Sequence, residues 1–110
     1  MSLSNSQFHD LVDTTQRNLE DIIDASDIDI DIENSAGILT LTFENQHQLI
    51  ISRQEPLKQL WLADRTGGFH FDYDSKQAAW CCAGTEQTLA QMLNEILLAH
   101  TQHSFDLSSL

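Results

Sequence analysis

Residues 37 to 53, GILTLTFENQHQLIISR, contain two runs in which apolar and polar side chains alternate, separated by the polar stretch ENQH. Alternation with a period of two is typical of β-strands, because successive side chains point to opposite faces. The short connection predicts an antiparallel hairpin. The apolar side chains that would face a core are Leu39, Leu41, Phe43, Leu49 and Ile51.

Similar short runs lie on both sides of this hairpin, at residues 27–33, 58–63, 68–73 and 77–82, and turn-forming residues separate them. The hairpin and these runs together predict about six antiparallel strands. Trp61 and Asp72 are expected on the outer face, opposite the apolar side chains.

The apolar period becomes helical at both ends of the chain. Residues 4–24 carry apolar side chains at helical spacing, and Ser4 with Gln7 forms a capping-box signature. A second helix is predicted from an N-cap at Thr85. Two amphipathic helices and one antiparallel sheet predict an α+β fold, a two-layer sandwich with both helices on one face of the sheet.

The length bounds the organisation of the protein. A chain of 110 residues is expected to form one domain, residues 1–110, that can bury a core without disulfides. Residues 101–110 are expected to form a loosely ordered tail. Cys81 and Cys82 are adjacent and would point to opposite faces of a strand, so they suit neither a zinc site nor a structural disulfide.

The charge of the chain restricts its partners. The formal net charge is −12, with only five Lys and Arg residues, which argues against binding to nucleic acid or to an anionic membrane. A cationic partner is expected instead. The first ten residues resemble neither a signal peptide nor a transit peptide, and no stretch is apolar enough to span a membrane. A reducing cytoplasm is the expected location.

The stretch DASDIDIDIE, residues 24–33, alternates acids with isoleucine. In a strand, Asp27, Asp29, Asp31 and Glu33 would share one face, roughly 6.8 Å apart in succession. The acids of the first helix lead into this strand, so both are expected to form one anionic ridge. Two interpretations stay open: a solvated face that blocks strand pairing, or a surface for cations such as iron, Ca²⁺, Mg²⁺ or Mn²⁺. The wide spacing favours several weak, hydrated sites.

Three other side chains bear on function. An outward Trp61 among polar neighbours indicates an interaction anchor. The alternative is that the predicted register of this strand is wrong and Trp61 does not face outward. His70 and Asp72 share that face and are interpreted as ordinary surface residues, because no nucleophile or oxyanion hole accompanies them. His9 could supply a nitrogen ligand, but a solvent-facing or capping role is the favoured interpretation.

Three stretches resemble the signature of the frataxin family, most closely of its bacterial, CyaY-type branch. They are LTLTFEN at 39–45, IISRQEPLKQLWLA at 50–63 and GGFHFD at 67–72. The resemblance extends over nearly the whole chain. It implies the same fold and a protein that binds iron (Fe²⁺ or Fe³⁺) weakly on its acidic ridge. The implied partners are the cysteine desulfurase of iron-sulfur cluster assembly, on which the protein docks, and the scaffold machinery. It implies a non-enzymatic regulator of sulfur transfer.

The resemblance also implies site residues. The expected metal-binding positions are His9, Glu20, Asp21, Asp24, Asp27, Asp29, Asp31 and Glu33. The expected partner-binding positions are Ser52, Arg53, Trp61, Asp27, Asp29 and Asp31. Ser52 stands where the family usually has asparagine, so the hydrogen bond expected there is in question. A monomer is expected, with oligomers forming in the presence of iron.

Three alternative functions remain at this point. The protein could be an iron chaperone or donor, a ferroxidase-like iron-handling protein, or an acidic decoy for a basic partner. A ferroxidase needs convergent carboxylates and histidines, which the strand spacing does not provide. A decoy would leave Trp61 without a role.

Overall fold

The computed structural model describes residues 3–35, 37–65, 67–82, 84–85, 87–103, 105–107 and 110. In this part of the chain, two α-helices flank six strands. The elements are α1 (Asn5–Ala25), β1 (Asp31–Ser35), β2 (Ile38–Thr42), β3 (Gln48–Gln54), a 3-10 turn (Glu55–Leu57), β4 (Gln59–Asp64), β5 (Gly67–Asp74), β6 (Ala79–Cys82) and α2 (Leu89–Thr101). No helix in these described ranges is long and apolar enough to cross a membrane.

The six strands form one sheet in the order β1-β2-β3-β4-β5-β6, and each pairs antiparallel with its neighbour. Both helices contribute to one core with the inward side chains of the sheet. The predicted two-layer α+β sandwich is confirmed. The boundaries of β2 to β6 differ from the predicted ones by no more than two residues, because the alternation of apolar residues defines them well.

The acidic segment differs from its prediction. Only residues from Asp31 onward belong to β1, whereas residues 28–30 have no regular secondary structure. The cause is the length of β2, which has five residues and pairs with β1 from Asp31↔Thr42 to Ser35↔Ile38. No strand remains to pair with the residues before Asp31. The exposure still alternates through residues 27–33, so the acids face solvent as expected.

Both helices begin with a capping box. Ser4 caps α1 together with Gln7, as predicted, and Thr88 caps α2 together with Gln91. The prediction of Thr85 as the second cap is wrong. The chain after β6 still pairs with that strand, through the Cys82 N–H to the Gln87 carbonyl at 2.9 Å and a bridge at Thr88. The helix cannot start before these contacts end.

Two polar contacts connect α1 to the rest of the core. Gln16, only 2% exposed, donates from its side-chain amide to the carbonyls of Gly37 (3.2 Å) and Ile51 (3.3 Å). Gly37 has φ +80°, and a Cβ there would lie 2.6 Å from Nε of Arg53. A glycine is therefore required at this turn, because any side chain would strain the backbone and displace Arg53.

Three apolar residues after α2 pack against the core. Leu107 is buried, and Phe105 and Leu110 pack against the core cluster. The Phe105 N–H donates to Asn94 Oδ1 at 3.3 Å. Apolar side chains thus hold residues 105, 107 and 110 against the core, while positions 104, 108 and 109 lie outside the described residues.

Cys81 and Cys82 are both free, with Cys82 buried and Cys81 half-buried on the other face of β6. Burial raises the pKa of the Cys81 thiol, and the nearby carboxylate of Asp74 raises it further. A raised thiol pKa lowers the fraction of reactive thiolate at neutral pH. The opposite orientations agree with the sequence analysis.

Candidate functional site

The acidic ridge is formed by carboxylates at the end of α1, in the extended segment after it and in β1. Its members are Glu20, Asp21, Asp24, Asp27, Asp29, Asp31 and Glu33. All are exposed except Glu20, which is half-buried. Ile30 and Ile32 pack against the core between them and hold the segment in place. The ridge therefore presents its charge to one side of the molecule.

The ridge carboxylates do not converge. In the ranges that the structure describes, no three His, Cys, Asp or Glu side chains are grouped so that they could hold one metal ion. Alternate side chains of an extended segment are roughly 6.8 Å apart, whereas oxygen ligands lie about 2.0 to 2.6 Å from Mg²⁺ or Ca²⁺. The donor set suits several hydrated, weakly held hard cations and does not suit a closed coordination sphere.

Two shallow cavities border the ridge, and both are lined by Asp29 and Glu44. The larger, of about 270 Å³, also contains Asp27 and the two histidines His100 and His103. The smaller, of about 210 Å³, contains Asp31. Glu44 extends the anionic surface across the turn between β2 and β3. Sequence reasoning missed it, because only the folded turn brings residue 44 beside residue 29.

His9 lies apart from the ridge, near the start of α1. It precedes Glu20 by eleven residues, which is roughly 16 Å along a helix axis. Arg53 donates from Nη1 to Nδ1 of His9 at 2.7 Å, and Nε2 of His9 faces Glu55 at 3.4 Å. Both ring nitrogens are therefore engaged by protein groups. His9 would have to leave these contacts before it could bind a metal ion.

Arg53 connects β3 to α1. Its Nη2 pairs with Asp13, and its side chain is 21% exposed. The guanidinium lies on the helix side of the sheet, whereas Ser52 and Trp61 face outward. A direct contact of this side chain with a partner would compete with the pair to Asp13.

Trp61 lies in a row of outer-face residues that crosses four strands. The register pairs Ile38 with Ser52, Ser52 with Trp61, and Trp61 with His70. The Trp61 ring is half-buried and stacks on His70, with centroids 4.2 Å apart and planes inclined by 7°. The outward orientation of Trp61 agrees with the predicted register. Ser52 and Trp61 are thus direct neighbours on an exposed surface.

The ridge reaches the sheet through Asp31 and Glu33 of β1, three strand spacings from Trp61 on β4. Neighbouring strands are about 4.8 Å apart, so β1 and β4 are separated by roughly 14 Å. The outer-face residues between them are mostly uncharged, for example Thr40, Ile50 and Ser52. One partner of ordinary size can therefore contact the negative edge and the aromatic centre together, since a typical interface covers about 800 Å² on each side.

His100, in the last turn of α2, belongs to a cluster beside the ridge. Its ring stacks on Phe43 with centroids 4.4 Å apart. Oδ1 of Asn45 accepts the backbone N–H of His47, so the Asn45 amide nitrogen is the group that faces Nδ1 of His100, at 3.2 Å. Nδ1 of His100 thus accepts a hydrogen bond, and the neutral ring carries its proton on Nε2.

The surroundings of His100 disfavour its protonation. Burial lowers the pKa of His100, and the neighbouring His47 and Arg65 lower it further, while Asp64 acts in the opposite direction. As the pH falls, this histidine is therefore protonated in the unfolded chain, where its pKa is about 6.5, before it is protonated in the folded protein. The stabilising contribution is complete above that pH and is lost as the pH falls below it.

We expect the variant His100→Gln to lose less stability than the wild type between pH 7.5 and pH 5.5. The measurement is urea unfolding at several pH values, with the free energy of unfolding compared between the two proteins. His103→Gln, which changes an exposed histidine beyond the end of the same helix, is the control. An equal pH dependence of stability in His100→Gln and wild type would contradict the contribution attributed to the lowered pKa of His100.

Residues 1–103 match the frataxin-like domain family. The iron-sulfur cluster assembly protein CyaY of Pseudomonas entomophila (strain L48) is 58% identical over 106 residues, which is 96% of each chain. The protein of the same name in Pseudomonas fluorescens (strain Pf0-1) is 58% identical over 110 residues, the full length of both chains.

Solved structures share the fold. Frataxin from Psychromonas ingrahamii superimposes with a TM-score of 0.89 at 31% identity, over 96% of this chain and 99% of that one. The trimeric frataxin of the yeast Saccharomyces cerevisiae, in a crystal structure with ferrous iron, gives a TM-score of 0.69 at 26% identity, over 94% and 90% of the two chains. With its sequence matched over residues 1–103 and its sheet and helices shared with these structures, the chain belongs to the frataxin-like family.

Proposed function

We propose that this protein is an iron-binding regulator of iron-sulfur cluster assembly that docks on cysteine desulfurase and modulates sulfur transfer. The observation that carries the proposal is that the β1 end of the acidic ridge, Asp31 and Glu33, lies on the same sheet as Trp61, with roughly 14 Å between the two strands. Bacterial relatives over 50% identical are named iron-sulfur cluster assembly proteins, which supports this pathway. The protein would act by binding the desulfurase and would catalyse no reaction itself.

Iron is the proposed cargo of the ridge. Fe²⁺ and Fe³⁺ would bind weakly to the ridge carboxylates and to Glu44, and other divalent cations would compete because oxygen ligands discriminate poorly among hard cations. The related yeast frataxin was crystallised with ferrous iron, which supports the metal. His9 would take part only after releasing Arg53. We expect a monomer that assembles into oligomers when iron is added.

The desulfurase would use two parts of the surface. A basic, arginine-rich patch would face Asp27, Asp29 and Asp31, and an apolar pocket would receive Trp61, with Ser52 beside it. Arg53 would support this face from the inner side of the sheet through its pair with Asp13. Iron on the ridge would neutralise charge and so weaken the electrostatic part of docking, which gives the protein a way to respond to iron.

The rival functions predict different observations. An iron donor would transfer its metal to the scaffold machinery, and a ferroxidase would consume oxygen with Fe²⁺. The separated ridge carboxylates do not favour a ferroxidase, since such chemistry uses a convergent di-iron centre. An acidic decoy would bind basic proteins without a preference for the desulfurase and would not need Trp61.

The experiment that tests the proposal is the affinity for the organism's own cysteine desulfurase at low and high salt, by biolayer interferometry. Exposed charges are screened beyond about 10 Å at 0.1 M salt, so we expect binding to weaken steeply with salt. Iron should then be titrated while desulfurase turnover is measured. If the two proteins do not bind even at low salt, the regulator proposal fails.

Replacing Trp61 with arginine should weaken desulfurase binding roughly 10- to 30-fold and leave iron binding unchanged. The reason is that a central tryptophan at an interface commonly contributes 2 kcal/mol or more, about 30-fold in affinity. Ser75→Arg, which adds the same charge in the exposed turn between β5 and β6, is the matched control. Equal losses of iron binding and docking in Trp61→Arg would show that the two functions are not separate.

A further inference from the structure

Trp61 belongs to one of two adjacent cross-strand pairs on the outer face of the sheet. Gln59 lies opposite Asp72, and Trp61 lies opposite His70. The Trp61 indole Nε1–H donates to Gln59 Oε1 at 2.9 Å, and the amide of Gln59 donates to Asp72 Oδ1 at 3.2 Å. The second bond orients the Gln59 amide, because an amide whose nitrogen faces Asp72 must present its oxygen to the indole.

We infer that Gln59, held by Asp72, is a positioning residue that fixes the Trp61 ring in one orientation before a partner arrives. The stack on His70, with centroids 4.2 Å apart, restrains one face of the same ring. Hydrogen bonding at one end and stacking on the face restrict both side-chain torsions of Trp61. An exposed tryptophan without these contacts would sample several rotamers.

The role of Gln59 and Asp72 rests on the proposed docking function for its biological meaning. It adds both residues to those that contribute to desulfurase binding. Binding immobilises interface side chains at an entropic cost, and a ring that is already fixed avoids part of this cost. The loss of the Gln59 hydrogen bond should therefore weaken docking roughly 2- to 10-fold, which is the usual net effect of one such bond.

The first test concerns the free protein. The chain has two tryptophans, and the Trp80 indole donates to Thr15 in the buried core, so its signal is an internal control. In Gln59→Leu, we expect the ¹⁵N–¹H heteronuclear NOE of the Trp61 indole to fall and its hydrogen exchange to accelerate, while the Trp80 signal stays unchanged. Asp72→Asn, which retains an acceptor oxygen, should restore most of the order lost in Asp72→Ala.

Gln54→Leu is the matched control, since Gln54 lies directly opposite Gln59 on β3 and undergoes the same chemical change. It should leave the Trp61 indole as in wild type. Unchanged Trp61 order in Gln59→Leu, or an equal loss of order in Gln54→Leu, would overturn the inference whether or not the desulfurase binds.

The second test is desulfurase affinity. Gln59→Leu should bind roughly 2- to 10-fold more weakly than Gln54→Leu, which makes the same chemical change on the same face and keeps the bond from the indole to Gln59. If Trp61→Arg weakens binding as expected and Gln59→Leu has full affinity despite a disordered indole, the positioning role in docking is refuted and docking stands. If Trp61→Arg binds like wild type, the proposed docking fails, and the NMR result alone decides whether Gln59 positions the ring.

Discussion

A protein in which Asp29 and Asp31 are both replaced with lysine is expected to bind cysteine desulfurase roughly 100-fold more weakly at low salt than the wild type. Close charge pairs across interfaces contribute about 1.5 to 7 kcal/mol, and each reversal turns an attraction to a basic partner into a repulsion. Both side chains are exposed, and they line the two cavities at the ridge. The substitutions should therefore leave the core intact.

Asp10→Lys with Glu95→Lys is the matched control, because it changes the net charge equally at two exposed positions outside the ridge. We expect the control to lose only a few-fold in affinity, through the weaker long-range field. Iron binding, measured by calorimetry, should fall in the ridge variant and not in the control. Equal losses of desulfurase affinity in both variants would mean that net charge, and not the ridge, determines docking.

Local patterns predicted most of the fold. The alternation of Leu39 and Leu41 with threonines defines β2, and the Ser4–Gln7 capping box defines the start of α1. These signals are contained within a few residues, so they can be recognised without knowledge of tertiary contacts. The antiparallel pairing followed because short connections favour hairpins between consecutive strands.

The errors occurred where distant or following residues decide local structure. The start of β1 depends on where β2 ends, so the even alternation of DIDIDIE could not reveal that residues 27–30 lack a strand partner. Likewise, Thr85 has the chemistry of a cap, but the pairing of Gln87 with β6 delays the helix to Thr88. Each misplaced boundary reflects a tertiary contact that overrides a local preference.

The candidate site was predictable in its composition and less so in its geometry. Asp27 and Trp61 could be placed on exposed faces from the period of two. By contrast, the approach of Glu44 to Asp29 and the engagement of His9 by Arg53 join residues far apart in the chain. The hydrogen bond from Trp61 to Gln59 could have been suspected, since residues i and i+2 share a strand face.

Replacing Trp80 with alanine is expected to destabilise the protein by about 3 to 5 kcal/mol, a large part of the 5 to 15 kcal/mol that is typical of a domain. Trp80 is 1% exposed. It meets Phe8 of α1 edge-on at 6.1 Å and Tyr73 of β5 at 5.3 Å. Urea unfolding followed by far-UV circular dichroism measures the loss, and Trp61→Ala, on the outer face, should cost much less.

The Trp80 indole also donates to Thr15 Oγ1 at 3.0 Å, which joins β6 to α1 across 65 positions of sequence. Thr15→Val should cost about 1 to 3 kcal/mol, because it leaves a buried N–H without an acceptor. In a Trp80→Phe background the same change should cost much less, since no donor remains to be left unpaired. An equal cost in both backgrounds would show that packing alone, and not this hydrogen bond, fastens the edge strand of the sheet to the first helix.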